Sequence, residues 1–328
     1  MKFSVVIACY KSDIEDILFT IRTIEYQKMK DFEIVVTDDG SENNHFKEIQ
    51  EFCTRNGYTN IKFLSHETNK GTVRNFLSAL SECSGEYVKP ISPGDGLFDE
   101  HTLNDIYLFM KTRNIDACFG LLNSYTKTAN GITFQEYPHP YDLDAYRAGD
   151  KNRILKNIVL YSDHVCGAAM FFKTERFKEL LNQIQDNVVL VEDLVQAICA
   201  AEGKPLVIFD EYAVWYQLGS GVSTQFHSPV RKRMKLDSTL FYEYVMEPFS
   251  ANKYVASRRK HAKVYSEENY YLQVLKIIVA NPTILGFLFT SATQKRSRKE
   301  KLKNCNKGFL NDKEFLNSNK IWRSHASS

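Results

Sequence analysis

Short apolar runs alternate with amphipathic stretches along the first 120 residues. Five runs have the length and composition of strands, at Phe3–Ala8, Glu33–Val36, Ile61–Leu64, Tyr87–Ile91 and Ala117–Leu122. Between them, apolar residues recur with helical spacing over Asp13–Tyr26, Asn43–Asn56, Gly71–Cys83 and Glu100–Thr112. This alternation predicts an α/β fold with a parallel sheet and right-handed crossovers.

The pattern is less regular after residue 120. An Asn-Gly pair at Asn130-Gly131 indicates a hairpin. Residues 138–163 combine prolines, tyrosines and charges, and we expect them to form a flexible lid. Further strands are predicted at Val165–Phe172, Leu206–Phe209 and Tyr212–Gln217, with helices at Thr174–Gln183 and Leu190–Ala201.

Charge divides the chain into two predicted parts. The 328 residues carry +2, but residues 226–328 hold 20 Lys and Arg against 8 Asp and Glu, which is +12 and leaves −10 for residues 1–225. We predict a catalytic domain over 1–225 and a basic, mainly helical region over 226–328. That basic region suits an anionic membrane surface, a homo-oligomer interface or a helical cap with a solvated basic face. The acidic body offers no continuous basic groove for a nucleic acid.

Cysteine usage and hydropathy indicate the compartment. The seven cysteines are scattered without a CxxC pair, which argues against a zinc site and favours a reducing environment. The N-terminal apolar run is too short for a signal peptide, and no stretch reaches the roughly 20 apolar residues of a spanning helix. We therefore expect a cytoplasmic protein, peripheral on the inner face of the cell membrane.

Acidic residues stand at three predicted element ends. Asp38 and Asp39 follow the second strand, Asp95 follows the fourth, and Glu192-Asp193 opens a helix. In open α/β sheets, ligands bind at the carboxyl ends of the strands. These positions predict a nucleotide and metal site with a catalytic base beside it.

The ordered motifs resemble glycosyltransferase family 2, whose members have the GT-A fold. The resemblance covers roughly residues 3–225 and rests on five pieces in sequence: Ile7–Tyr10, Thr37–Ser41, Asn69–Asn75, Gly85–Asp95 and Glu192-Asp193. It implies an inverting, hexosyl-type glycosyltransferase with a UDP-sugar donor. A flexible segment at Gly219–Thr224 would close over the donor phosphates.

The resemblance implies a role for each residue at the donor nucleotide. Asp39 would accept the N3–H of uracil, while Asp38 would contact the nucleotide or only hold the turn. Ala8 and Tyr10 would border the base, with the Tyr10 ring stacked on it or merely packed on the next helix. Gly71 would allow close approach of the chain.

Further implied roles concern the diphosphate and the chemistry. Arg74 would reach the diphosphate or brace Asp95. The family's acidic Mg²⁺ or Mn²⁺ cluster is reduced here to Ser92-Pro93-Gly94-Asp95, so that Asp95 is the expected metal ligand and His227 a remote further candidate. Asp193 would be the general base, and Glu192 would orient it or contact the acceptor; the alternative is an ordinary pair of acids in a first helical turn.

Together these expectations describe a transferase acting in surface polysaccharide or lipopolysaccharide synthesis. It would move the sugar of a UDP-sugar to a hydroxyl of a saccharide acceptor, itself lipid-linked. Two alternatives stay open. A sugar-1-phosphate nucleotidyltransferase should carry a Gly-rich loop after strand one, where this chain has Ala8-Cys9-Tyr10-Lys11-Ser12. A catalytically silent sugar-binding or scaffold protein would fit the reduced acidic motif.

Overall fold

A nine-stranded mixed sheet with helices on both faces forms the body of the described chain. The computed structural model describes residues 1–128, 131–135, 137, 139–219, 229–265, 270–289, 308–311 and 315. Strands follow the order β3-β2-β1-β4-β8-β6-β9-β5, and β7 pairs with β6. Pairs β1–β2, β1–β4, β2–β3 and β6–β9 are parallel, whereas those of β8 with β4 and β6, of β5 with β9 and of β6 with β7 are antiparallel. The predicted α/β class, with a mostly parallel central sheet flanked by helices, is therefore confirmed, and antiparallel pairs occur where β5, β7 and β8 join the sheet.

The first half follows the predicted element order closely. Its elements are β1 (Phe3–Cys9), α1 (Ile14–Glu25), β2 (Phe32–Asp38), α2 (Phe46–Asn56), β3 (Ile61–Ser65), α3 (Thr72–Ser81), β4 (Tyr87–Ile91), the two-residue β5 (Gly96–Leu97) and α4 (Thr102–Thr112). Their agreement with the sequence reflects strong local signals, since β1, β2 and β4 are buried along almost their whole length.

The second half departs from its predictions at several bounds. It comprises β6 (Ala117–Thr128), β7 (Gly131–Gln135), α5 (Leu143–Arg147), α6 (Lys151–Tyr161), β8 (Met170–Lys173), α7 (Thr174–Asn182), α8 (Val195–Ala201) and β9 (Val207–Gln217). A short 3₁₀ turn at Gly167–Ala169 lies within the predicted strand Val165–Phe172. Another, at Glu192–Leu194, lies near the start of the predicted helix Leu190–Ala201. The two predicted strands after residue 205 are one continuous strand, β9.

The lid predicted over residues 138–163 is wrong for most of its length. Residues 143–161 form α5 and α6, whose N-caps Asp142 and Asp150 accept backbone N–H groups of Ala145 and Arg153. The inner faces of both helices are buried in the main core, with Leu143, Ala145, Tyr146, Ile154, Leu155, Ile158, Val159 and Leu160. Helical spacing of these apolar residues outweighs the two prolines, which stand only at the start of the segment.

The basic C-terminal region shares the core of the first 225 residues. It begins in the described chain with α9 (Pro229–Leu240) and continues through α10 (Lys253–Lys260), α11 (Ala262–Tyr265) and α12 (Tyr270–Ala280). Phe241, Tyr242 and Met246 are fully buried in the core cluster that also contains residues of α6 and α8. The domain boundary at 225 stays a prediction. None of the helices in the described ranges has the length and hydropathy needed to cross a membrane.

Candidate functional site

A cavity of about 590 Å³ opens at the carboxyl ends of β1 and β4. We call its lining from residues 8–13, 39 and 90–95 the first wall, and its lining from residues 137–168, 190–193 and 216–217 the second wall. Seven of the ten site residues expected from the sequence line it: Ala8, Tyr10, Asp39, Ser92, Asp95, Glu192 and Asp193. The fold thus brings together carboxylates that lie far apart along the chain.

Asp39 is held in place by backbone groups of a neighbouring loop. Its two carboxylate oxygens accept the N–H groups of Lys70 and Gly71, each at 2.8 Å, and the side chain is almost fully buried. A carboxylate has about four lone-pair sites, so each oxygen keeps acceptor capacity after these bonds. Asp39 is therefore a fixed, charged acceptor at the end of β2.

Asp38 has a different environment although it precedes Asp39 directly. Its two oxygens accept the backbone N–H of Ser41 at 2.8 Å and the Ser41 hydroxyl at 2.7 Å. It does not appear in the cavity lining among the described residues. Asp38 thus holds the turn after β2, which agrees with the simpler of its two sequence interpretations.

The end of β1 presents an aromatic ring and an ammonium group to the cavity. Tyr10 is 41% exposed, and the Lys11 Nζ lies 5.4 Å from its ring centroid. The backbone at Lys11 has φ 49°, and its N–H donates to the Ser41 hydroxyl at 2.7 Å. The turn that Asp38 stabilises therefore also fixes the chain beside Tyr10.

The start of α3 connects the two walls, but not through the residues expected. Gly71 (φ 85°) lies against Val189, where a Cβ would overlap both backbone and side chain, so its close approach is to protein. Thr72 donates through its hydroxyl to Glu192 and lies 3.2 Å from the Val189 carbonyl. Arg74 forms an ion pair with Asp186 and is not part of the cavity lining among the described residues.

The turn after β4 is shaped by the end of β9. The Asp95 carboxylate accepts the Gln217 backbone N–H at 2.9 Å. Gly94 has φ 89°, and a Cβ there would overlap the Gln217 side chain, so glycine is required. Burial raises the pKa of Asp95 to about 7 and lowers the pKa of Lys89, on the strand leading to the turn, also to about 7.

These residues do not fit the divalent cation expected at Asp95. In the described part of the chain, no three His, Cys, Asp or Glu side chains are grouped as metal ligands. Position 94 is glycine and Ser92 replaces the first acid, so Asp95 is the single carboxylate left in this turn, and it already accepts the Gln217 N–H. Mg²⁺ and Mn²⁺ prefer ionised oxygen ligands. The candidate ligand His227 lies outside the described residues, as do residues 220–224 of the predicted closing segment.

The pair Glu192-Asp193 lies on the 3₁₀ turn that precedes α8. Both side chains line the cavity and are otherwise enclosed by protein. Burial raises the pKa of both carboxyls, and the adjacent Asp193 charge raises that of Glu192 further. A Cβ on Gly167 would lie 3.2 Å from the Asp193 Cβ, so the Gly167–Ala169 turn packs directly against the acid. The geometry suits a base whose proton affinity lies above that of an ordinary carboxylate.

Helix α9 of the C-terminal region stabilises the loop that carries this pair. Asp237 is fully buried and accepts the backbone N–H groups of Val189 at 3.1 Å and Leu190 at 2.9 Å. Arg233 donates through Nε to Asp237 at 2.7 Å and through Nη2 to the Asn187 carbonyl at 2.6 Å. The candidate pair Glu192-Asp193 is therefore positioned by residues beyond the predicted domain boundary.

Aromatic side chains form the rest of the second wall. The rings of Tyr137 and Tyr216 have centroids 5.2 Å apart, and His139 lies 5.8 Å from Tyr137. All three residues line the cavity, as does His164, whose pKa is lowered to about 3 by burial and by the Arg258 charge. The second wall thus contributes aromatic side chains and a neutral imidazole to the cavity that Asp193 also lines.

Several residues of this site have no signal in the sequence. Thr72 and Glu192 are 120 positions apart, and Asp237 follows its partners by 47 and 48 positions. Lys89 is not among the predicted residues, although it does carry a signal as a lone cation inside an apolar run. Its ammonium group is buried and donates to the carbonyls of Ala168 and Met170.

Comparisons with known proteins bear on the family and the fold. A model of glycosyl transferase family 2 matches residues 4–188. No curated protein matches the chain. Among solved structures, S. aureus TarS 1-349 is 17% identical with a TM-score of 0.53, over 88% of this chain and 74% of that one. TarS 1-349 in complex with UDP-GlcNAc gives a TM-score of 0.49 at 16% identity, over 95% and 90%. At 17% identity, the first likeness shows a shared fold.

Proposed function

The chain belongs to glycosyl transferase family 2, and from that membership we propose that it is an inverting, hexosyl-type transferase that uses a UDP-sugar and a saccharide acceptor. The observation that carries the proposal is the single cavity shared by Asp39, Asp95 and Asp193. One bound donor and its attacking hydroxyl can meet all three carboxyl groups there. Such convergence is what a bimolecular transfer requires.

Recognition of the donor base is assigned to the first wall. Asp39 accepts the N3–H of uracil with the acceptor capacity left by its two backbone bonds. The exposed face of Tyr10 stacks on the base, and Ala8 leaves space for it at the end of β1. Because a charged hydrogen bond is stronger than a neutral one, this contact favours a base with an N–H at that position.

The chemical step is assigned to the second wall. An acceptor hydroxyl attacks the anomeric carbon from the face opposite the nucleotide, and Asp193 takes its proton as the new C–O bond forms. The bond from the anomeric carbon to the phosphate oxygen breaks, and the diphosphate leaves with the electron pair. The Thr72 hydroxyl orients Glu192, and Glu192 in turn holds the loop and Asp193 in position. A positioned base of this kind contributes about 10²- to 10⁴-fold to the rate.

Groups of the first wall stabilise the negative charge on the leaving diphosphate. Lys11, Ser12 and Ser92 line the cavity beside Asp95 and provide one cation and two hydroxyl donors. No step here passes through a metal ion, because the described residues do not form a site for one.

The acceptor is assigned to the aromatic side of the cavity. Ring faces of Tyr137 and Tyr216 suit the apolar face of a pyranose, next to Asp193. We propose a lipid-linked saccharide in surface polysaccharide or lipopolysaccharide synthesis as its source.

Family membership disfavours the nucleotidyltransferase alternative, whose Gly-rich loop is also missing after β1. A measurement of turnover distinguishes a transferase from the catalytically silent sugar-binding alternative.

Calorimetry and turnover together test this proposal. We expect UDP to bind the purified chain at least about tenfold more tightly than CDP, because cytosine lacks the N3–H that Asp39 would accept. A panel of UDP-sugars should show UDP release with one of them. Since kcat/KM needs ionised Asp193, it should rise with pH through an acid limb above the pKa of about 4 for a free carboxyl. Absence of UDP binding would overturn the donor assignment, and binding without turnover would leave the silent alternative.

A further inference from the structure

The C-terminal region carries a concentration of exposed large hydrophobic side chains. Seven of the fifteen large hydrophobic side chains that are exposed in the described residues lie within positions 271–289. We call them the C-terminal apolar face: Tyr271, Leu272, Leu275, Val279, Leu285, Leu288 and Phe289. Tyr271, Val279 and Phe289 are 83%, 76% and 77% exposed. Contiguous exposed apolar surface of this kind marks an interaction site.

The spacing of these residues places them on one side of each of two short helical segments. Tyr271, Leu275 and Val279 follow each other at intervals of four along α12, and Leu285, Leu288 and Phe289 repeat the spacing after the turn. Residues four apart lie on one side of a helix. Both short segments thus turn an apolar stripe outward.

The segment that carries this face is firmly attached to the body. In the turn after α12, Asn281 is buried and donates to the Tyr265 hydroxyl at 3.0 Å. The Thr283 hydroxyl lies 2.6 Å from that of Tyr161, and the Phe287 ring stacks on Tyr161 with centroids 4.8 Å apart. The inner side of the segment is therefore packed and its outer apolar side is presented on a fixed support.

Basic residues lie on α12 and on the helices that precede it along the chain. Lys276 is exposed on α12 itself, Lys260 and Lys263 are exposed on the preceding helices, and residues 226–328 carry +12 overall. An interfacial helix combines an outward apolar stripe with Lys and Arg on its flanks, and cations near an anionic bilayer strengthen its binding. We propose that the C-terminal apolar face docks this protein on an anionic lipid bilayer. At 11 residues, α12 is about 16 Å long, which suits lying in the interface.

A chain of aromatic rings joins this face to the cavity. Phe287 lies 6.3 Å from Tyr141, Tyr141 lies 4.2 Å from His139, and His139 lies 5.8 Å from the cavity residue Tyr137. The docked surface and the acceptor side of the cavity are thus neighbours. Membrane docking stands independently of the reaction, but its use in presenting a lipid-linked saccharide to Asp193 rests on the proposed function.

Vesicle cosedimentation of the full-length chain tests the docking. Phosphatidylcholine vesicles with phosphatidylglycerol should bind the protein, and vesicles of phosphatidylcholine alone should bind it at least about tenfold less tightly. Replacing two outward leucines, Leu275→Ser with Leu285→Ser, should weaken binding by about tenfold or more. The matched control is Leu108→Ser with Leu236→Ser, two leucines that are each 49% exposed elsewhere; it should bind like the wild type.

A second copy of the chain is the competing occupant of this face, and the same variants distinguish it from a bilayer. Light scattering and thermal unfolding of each variant establish that it is folded and reveal any dimer. Docking is overturned if the wild type does not bind anionic vesicles, or if both double variants bind equally well. A wild-type dimer that becomes a monomer only in the Leu275→Ser, Leu285→Ser protein, without vesicle binding, would assign the face to a second copy. Hydrolysis of a UDP-sugar without vesicles should be the same in both double variants, so failure of docking and failure of the enzymatic proposal remain distinguishable.

Discussion

The residues of the two cavity walls are held in place by different kinds of contacts. Along the first wall, Ala8, Asp39 and Asp95 stand at or just after the ends of buried strands, and partners close to those ends, such as the Lys70 and Gly71 backbone, hold them. Along the second wall, Asp193 lies on a short 3₁₀ turn outside the sheet. That turn depends on contacts from α3, from the Gly167–Ala169 turn and, through Asp237, from α9.

This difference indicates that the two walls have separate functions. A strand end is rigid because its neighbours in the sheet fix it, which suits the recognition of a planar base. A turn supported by several separate elements responds to changes in any one of them. We therefore expect substitutions at the first wall to change donor binding, and substitutions at or behind the second wall to change the chemical step.

Asp193→Asn is expected to have the largest effect. It removes the proton acceptor but keeps the size of the side chain, so kcat should fall about 10²- to 10⁴-fold while calorimetric UDP affinity changes little. Asp186→Asn is the control, since Asp186 is 91% exposed in the loop before the pair. If Asp193→Asn retained full turnover, the base would have to be another group.

Asp39→Asn should have the next largest effect, on donor binding. The amide replaces one oxygen that accepts a backbone N–H and removes the charge opposite the base, so the KM for the donor should rise about 10- to 100-fold with a smaller change in kcat. Asp38→Asn offers an adjacent control because both of its bonds come from Ser41. It should lower the melting temperature without a comparable change in KM. Equal effects on KM would contradict the separate roles of the two acids.

Asp237→Asn tests how α9 stabilises the loop that carries Glu192 and Asp193. Both backbone N–H groups share the oxygen Oδ2, and the amide oxygen can keep those bonds, but the amide NH2 would then face the Arg233 Nε–H and the charge opposite Arg233 is lost, so the free energy of unfolding should fall by about 2 kcal/mol. We expect kcat to fall about tenfold at unchanged donor KM, measured at a temperature where the variant is folded. A rise in KM with intact kcat would place the effect of α9 on the first wall instead.

Chelation of divalent cations should have the smallest effect. Because the described residues offer only Asp95 at the expected position, turnover in EDTA should stay within about twofold of that in Mn²⁺. Donor affinity by calorimetry, with and without Mn²⁺, is a second measurement independent of turnover. A large loss that Mn²⁺ alone restores would show that the first wall receives metal ligands from residues outside the described ranges.

Part of this architecture can be predicted from the sequence. Buried strands such as β1 and β4 are recognisable as apolar runs, and an acid directly after such a run, such as Asp39, is recognisable as a candidate for the site. Arg74 shows the limit of this reasoning, since its place at the start of α3 is as predicted but its side chain pairs with Asp186. Position along a helix does not decide where a long side chain points.

The sequence by itself determined the α/β class, the order of the first nine elements apart from the short β5, the acids at strand ends and the basic character of the last hundred residues. Only the tertiary structure decided that the sheet is mixed, that residues 143–161 are buried helices, and that Thr72 and Asp237 support Glu192-Asp193. Apolar periodicity fixes which face of a segment is buried, because it acts over a few residues. Which distant segments then meet depends on the packing of the whole core, and no short stretch of the chain records that.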